Sequence, residues 1–290
     1  MSLVEQQVDA GVALITLKDA EHGNLLTPQS VKELASAFER SVRDPQARAI
    51  LLRSGGSAFC LGMHLGRVAA HDSRGSQAEA KSVVGRYADL LAAMFRAPLP
   101  VVCLVQGEVK AGGLGLVCAS DIVVATEAAS FELGEVLFGL IPANVLPYLL
   151  ALRVPPQKAR YLMLSSMRIT APEALRLNLV DELLPSAQLA EQRLREIVGR
   201  PLRSSPRALA QAKEFTAELI GKPQGQAAAL ARRHLLRMLR DPAALEGVRA
   251  FQDGDLPPWF SRFKPKGPMA LWREPVPPPP EAAGKKEETP

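Results

Sequence analysis

The sequence predicts an α/β core followed by a helical region. Three observations point there. Strand and helix signals alternate through the first half of the chain. Two glycine-containing turns each follow a short apolar run. From about residue 143 to residue 250 the pattern is helical almost without a break.

Residues 3–8 and 12–17 are β-branched or alternating and are separated by Ala10-Gly11, which reads as a hairpin or as consecutive strands. Thr27-Pro28 opens a helix, with threonine as N-cap and proline in the first turn. Val31, Leu34, Ala35 and Phe38 form its apolar face, and Asp44-Pro45 stops it. Residues 49–52 read as a short strand, 54–57 as a Ser-Gly loop, and 78–95 as a second helix ending before Pro98. Residues 101–105 are continuously apolar, as in a strand buried on both faces. A glycine-rich turn from Gly107 to Gly115 leads into apolar 116–119, and 122–125 is another buried strand. Helices are expected near 143–152, 156–164, 171–177, 187–199, 206–220, 226–240 and 242–250. The organisation is a core over 1–200, a helical region over 201–263 and a tail over 264–290. The tail holds 8 of the 24 prolines, so it cannot bury apolar surface and is expected to be disordered.

With 290 residues and 47% hydrophobic content the chain can bury a full core without disulfides. Cys60, Cys103 and Cys118 are odd in number, sit in apolar runs and form no Cys-x-x-Cys. A disulfide framework and a zinc site are therefore unexpected, and a reducing cytoplasm is the default location. The net charge of +5 is not concentrated, and the 5% aromatics do not alternate with Arg or Lys, which argues against nucleic acid. Glu5 and Asp9 interrupt any signal-peptide core. The longest uncharged stretch, 136–152, contains Pro142, Asn144 and Pro147, whose backbone groups would go unpaired in lipid; it reads as buried core, not as a membrane span.

Chemistry is concentrated in two turns, each directly after a buried strand. One is Ser57-Ala58-Phe59-Cys60-Leu61-Gly62-Met63-His64-Leu65. The other is Gln106-Gly107-Glu108-Val109-Lys110-Ala111-Gly112-Gly113-Leu114-Gly115. Such turns leave backbone N–H groups unpaired and facing outward, and two side by side could aim two donors at one oxygen. The glycines fit neither a P-loop nor a dinucleotide fingerprint, and the alternative reading is that they only allow tight helix–strand packing. No His/Asp/Glu cluster has metal-ligand spacing. Ser57 and Ser120 lack a serine-hydrolase pattern.

Together the turns resemble those of the crotonase (enoyl-CoA hydratase/isomerase) superfamily. So do Ser120-Asp121-Ile122, Phe131-Glu132-Leu133-Gly134-Glu135 with Phe138-Gly139-Leu140-Ile141-Pro142, and Thr170-Ala171-Pro172-Glu173-Ala174 with Leu179-Val180-Asp181-Glu182. The resemblance covers residues 3–260. Residues 111–121, 135–148 and the ending Gly254-Asp255-Leu256-Pro257-Pro258-Trp259 are similar to the dehydrating hydratase homologues of polyketide β-branching cassettes. The resemblance implies a crotonase fold, an α/β spiral of ββα repeats with a C-terminal helical region that forms trimers or dimers of trimers. It implies an acyl thioester carried on an acyl carrier protein or coenzyme A, with no further cofactor, metal, nucleic acid or membrane partner.

It also implies an oxyanion hole made by the backbone N–H groups of Met63 and Gly112. Substrate-binding positions follow at Ala58, Leu61, His64, Lys110, Gly113 and Leu140. Hydratases of the superfamily carry two glutamates. The first falls at Gly115 and is missing; the second falls at Glu135, where apolar flanks should raise its pKa toward neutrality. Glu132 has the wrong offset and is expected to be exposed. One glutamate suits dehydration of a 3-hydroxy-3-methylglutaryl thioester to 3-methylglutaconyl. It equally suits double-bond isomerisation, and a silent carrier-binding homologue stays open. His64 is a general acid, a carboxylate ligand or a cap; Lys110 pairs with a distal carboxylate or faces solvent. His22, His71 and His234 read as surface or packing residues. A basic rim at Arg67, Arg74, Lys81 and Arg86 is either a carrier-protein contact or a solvated helix face.

Overall fold

The computed structural model describes residues 2–64 and 74–265. Strands β1 (Val4–Asp9) and β2 (Val12–Leu17) form an antiparallel hairpin in register from Val4↔Leu17 to Asp9↔Val12. Its two-residue turn puts Ala10 at φ 48° and Gly11 at φ 87°, the doubly left-handed geometry that matches strand twist. Helix α1 (Pro28–Arg43) starts on a reciprocal cap, in which Ser30 N donates to Thr27 Oγ1 at 3.1 Å and Thr27 N to Ser30 Oγ at 2.8 Å.

A repeat then follows, in which a longer strand is succeeded by a short one. These are β3 (Ala49–Ser54) and β4 (Ala58–Cys60), then β5 (Val101–Val105) and β6 (Glu108–Lys110), then β7 (Ile122–Thr126) and β8 (Ser130–Glu132). Helix α2 (Arg74–Arg96) closes the first repeat and α3 (Gly113–Cys118) the second. The longer strands enter a six-stranded sheet of order β1-β2-β3-β5-β7-β10, with β10 at Glu182–Leu184. The short ones enter a four-stranded sheet of order β4-β6-β8-β9, with β9 at Ile169–Thr170. Every repeat thus feeds both sheets, which is the expected ββα spiral. Val101, Cys103 and Val105 face the main core. Val102 and Leu104 face a second core, capped by α6 below, so these strands carry apolar residues at every position.

Helices α4 (Pro156–Ser165), α5 (Ala171–Arg176), α6 (Ala187–Arg203), α7 (Pro206–Leu219), α8 (Gln224–Met238) and α9 (Pro242–Gln252) complete the described chain. Ala190, Leu194 and Val198 of α6 pack on the large sheet. Three expectations change. The helix near 143–152 is only a short turn, Leu146–Tyr148, followed by a wider coil at Leu149–Arg153; Pro147 has no N–H to give Ala143 O, so a regular helix cannot run from 143. The stretch 136–152 is not wholly core: Leu137, Phe138 and Ile141 are 66–69% exposed. Strands of two or three residues break the C-terminal half of the core at β9 and β10. Of the tail, residues 266–290 lie outside the described residues.

Two aspartates anchor the large sheet. Asp121 Oδ2 accepts from Val101 N at 2.7 Å and from Lys213 Nζ at 2.6 Å, tying α7 to β5. Asp181 Oδ2 accepts from Val123 N and from the buried Arg153 Nη1, both at 2.7 Å, and Arg153 Nη2 donates to Ser120 O. Asp181→Ala strands the Arg153 guanidinium in the core. The expected cost is about 2–3 kcal/mol, at the low end for a broken buried pair because solvent reaches Asp181. Urea unfolding of the variant beside the parent measures it.

Candidate active site

The first turn leaves β4 and pairs with Leu26. Leu26 N donates to Gly62 O at 2.8 Å and His64 N to Leu26 O at 3.3 Å. In a parallel ladder this uses the groups on either side of Met63 and turns the Met63 N–H to the opposite side. Gly62 lies at φ +84°, and a Cβ there would sit 2.9 Å from Lys110 O and 3.1 Å from Gly112 N. The two turns therefore touch backbone to backbone, and only glycine permits it. In the second turn Ala111 is left-handed at φ 45° and donates its N–H to Glu132 O at 2.9 Å. Gly112 follows, with its Cβ position 3.9 Å from Met63 N. Among the described residues neither the Met63 nor the Gly112 N–H meets an acceptor.

Against these turns lies a cavity of about 570 Å³, within the usual size of a small-molecule site. Met63, Gly112 and Glu135 line it, with Leu61, His64, Lys110 and Leu140. The exposed Leu137, Phe138 and Ile141 line it too, so the apolar run that was expected in the core serves here as wall. Two expected binding residues lie behind the wall. Ala58 is buried and its carbonyl accepts from Asn24 Nδ2 at 2.8 Å. Gly113 is buried with its Cβ direction aimed at Cys60 O.

Glu135 opens a one-turn helix, Glu135–Phe138, that follows Gly134. Its Oε2 is buried with no hydrogen-bond partner among the described residues, and burial pushes its carboxyl above the ordinary glutamate range. Glu132 is half-buried rather than exposed and lines the same cavity, because β8 carries it beside Lys110 of β6. Lys110 Nζ reaches Glu108 Oε1 at 3.2 Å, and Arg168 Nη1 reaches the same oxygen at 3.0 Å. His64 is exposed at the cavity edge. The cavity also holds Tyr87 of α2, fully buried, whose hydroxyl donates to Gly112 O. Sequence reasoning missed it because Val83, Tyr87, Leu90, Leu91 and Met94 have the spacing of any helix core face.

His22 and His234 stand apart from the cavity. Exposed His22 pairs with Asp19 at 2.7 Å, and His234 stacks on Phe215 with Glu218 at 3.4 Å. His71, Arg67 and the side chain of Arg74 lie outside the described residues; Lys81 and Arg86 are exposed. Among the described residues no group of three His, Cys, Asp or Glu could hold a metal ion, and no helix is long and apolar enough to cross a membrane.

The sequence pattern of the enoyl-CoA hydratase/isomerase family matches residues 7–262. The chain belongs to that family. As a member of the enoyl-CoA hydratase/isomerase family it is 29% identical over 256 residues to the bacillaene synthase dehydratase PksH of Bacillus subtilis, covering 88% of this chain and 96% of the relative. It is also 29% identical over 259 residues to the carnitinyl-CoA dehydratase of Proteus mirabilis, covering 87% and 96%. The crystal structure of an enoyl-CoA hydratase from Shewanella pealeana superposes with a TM-score of 0.80 at 29% identity, covering 89% and 96%. The fold is that of the crotonases, and the activity is of the enoyl-CoA hydratase/dehydratase type.

Proposed function

We propose that this protein dehydrates a 3-hydroxyacyl thioester, and that its substrate is 3-hydroxy-3-methylglutaryl carried on an acyl carrier protein, in a β-branching role. The observation that carries the reading is Glu135: a half-buried carboxyl whose buried Oε2 has no partner among the described residues, in the cavity where two turn amides, also without acceptors among those residues, lie side by side. The Glu135 carboxylate takes the proton from C2. The electron pair moves onto the thioester oxygen, held by the N–H groups of Met63 and Gly112, a device worth roughly 3 kcal/mol per donor. The pair then returns to form the C2–C3 double bond as the C3–O bond breaks. Glu135 returns its proton to the departing hydroxide, giving water and the 3-methylglutaconyl thioester. The likeness to PksH and to a carnitinyl-CoA dehydratase, both dehydratases by name, supports loss of water as the outcome.

A second reading is favoured by one feature: Gly115 offers no second carboxylate to hold a water. Glu135 would then carry the proton from C2 to C4 of an enoyl thioester, as an isomerase. Incubation with hydroxymethylglutaryl-carrier protein, followed by mass spectrometry, and separately with a 3-enoyl thioester, followed by the ultraviolet absorption of a conjugated enoyl thioester, distinguishes them. Loss of 18 Da from the first supports dehydration; a moved double bond in the second supports isomerisation; binding without change overturns both.

Lys110 lines the cavity with its Nζ 3.2 Å from Glu108 Oε1, and we assign it to pair with a distal substrate carboxylate. Lys110→Ala is expected to raise KM for the glutaryl thioester about tenfold, some 1.4 kcal/mol, and to leave KM for a 3-hydroxybutyryl thioester unchanged. Steady-state kinetics on the two substrates checks it.

A further inference from the structure

Gly115 stands on α3 three residues after Gly112, and a Cβ built there lies 2.6 Å from Tyr87 Oη and 2.9 Å from Leu91 Cδ1. The tyrosine hydroxyl therefore fills the place a side chain at 115 would take. From that place it donates to the Gly112 carbonyl, which also accepts Gly115 N–H at 2.9 Å. Both acceptor directions of the carbonyl are thus engaged, one from α3 itself and one from α2. The Gly112 N–H lies in the preceding peptide plane, whose Ala111 carbonyl accepts Leu114 N–H at 2.9 Å; with that plane held on one side, a hold on the Gly112 carbonyl restrains the φ and ψ that glycine's own sterics leave free, and so where the N–H points. We propose that Tyr87 is a positioning residue, which holds the Gly112 carbonyl from the space vacated at Gly115 and so fixes the direction of the Gly112 N–H at the cavity.

This rests on the oxyanion role given above to Gly112. Tyr87 does not act as the acid. Its proton is committed to the Gly112 carbonyl, and burial pushes the phenol well above its usual range. Its effect passes through the backbone. A donor held a fraction of an ångström off line loses stabilisation of the transition state while leaving ground-state binding nearly intact.

The test uses Tyr87→Phe in the full chain, with 4-dimethylaminocinnamoyl-coenzyme A as probe. The absorption of this thioester moves to the red when its carbonyl is polarised. The parent is expected to give the red shift. The variant is expected to bind the probe within about twofold, lose most of the shift, and lose about 10- to 100-fold in kcat at unchanged KM. A variant that keeps both shift and kcat overturns the proposal. A parent that binds the probe with no shift overturns the oxyanion reading itself, and this proposal with it. If Tyr87→Phe does not fold, Gly115→Ala asks the same question with the tyrosine kept, because its methyl pushes the hydroxyl off the carbonyl. It too should lose shift and kcat at unchanged KM; full activity in a folded Gly115→Ala overturns the proposal.

Discussion

Glu135→Gln is expected to lower kcat by about three orders of magnitude while the protein keeps its fold and binds thioester as before. The amide has the same shape but can neither take the C2 proton nor return it. The parent's kcat/KM should rise with pH on its acid side, since the base form must be ionised, and burial places that limb above the ordinary glutamate range. Stability should move the other way. Folding raises the Glu135 pKa, so between the unfolded and the folded value the unfolded chain has lost a proton that the folded chain keeps. Stability from this group is complete below the unfolded pKa and is lost as pH rises through the folded one. The glutamine has no such loss. Thermal melts at pH 4 and pH 8 should therefore show equal midpoints at the lower pH and a more stable variant at the higher. A Glu135→Gln enzyme with near-parental turnover would remove the carboxylate from the mechanism.

The same residue shows what a sequence can disclose. Glu135 is legible through its place in the family motif, and its apolar flanks point to a carboxyl held above the ordinary glutamate range, the direction that burial gives it. Val101–Val105 is legible because a strand lying between two cores has no polar position to spare. The small sheet is not. Its strands, such as Ala58–Cys60 and Ser130–Glu132, are three residues long and too short to show a period. That sheet nevertheless decides the site, because β8 swings Glu132 from the expected surface into the cavity wall. Tyr87 was hidden by its neighbours: its spacing says only core, and its hydroxyl partner lies 25 residues away, where no local pattern reaches. The apolar run after Glu135 misleads in the opposite sense. Its hydrophobicity serves a cavity wall, and wall and core have the same composition.

Gly113→Ala is expected to damage site and stability together. Conformation does not forbid it: Gly113 is the first residue of α3, and alanine is the better helix former by about 1 kcal/mol. Space forbids it. The added methyl would run into Cys60 O and lie 3.1 Å from both Cys60 C and Cys60 Cβ, all fully buried. Most of what it meets is strand backbone, which cannot rotate away as a side-chain tip can. Relief has to come from sliding α3 off β4, and those two elements carry the Gly112 and Met63 amides. The expected cost is about 3 kcal/mol, at the high end for overpacking because the obstacle is main chain. The remaining folded protein should have kcat lowered at least 10-fold, since a separation of even 1 Å spoils a two-donor hold on one oxygen. Gly139→Ala is the control. Its Cβ meets nothing within 4 Å, so only the left-handed φ of +74° is penalised, at about 1 kcal/mol. Urea titration and single-turnover kinetics on the pair decide the matter. A Gly113→Ala protein as stable and active as the control would mean that the two turns need not touch for the site to work.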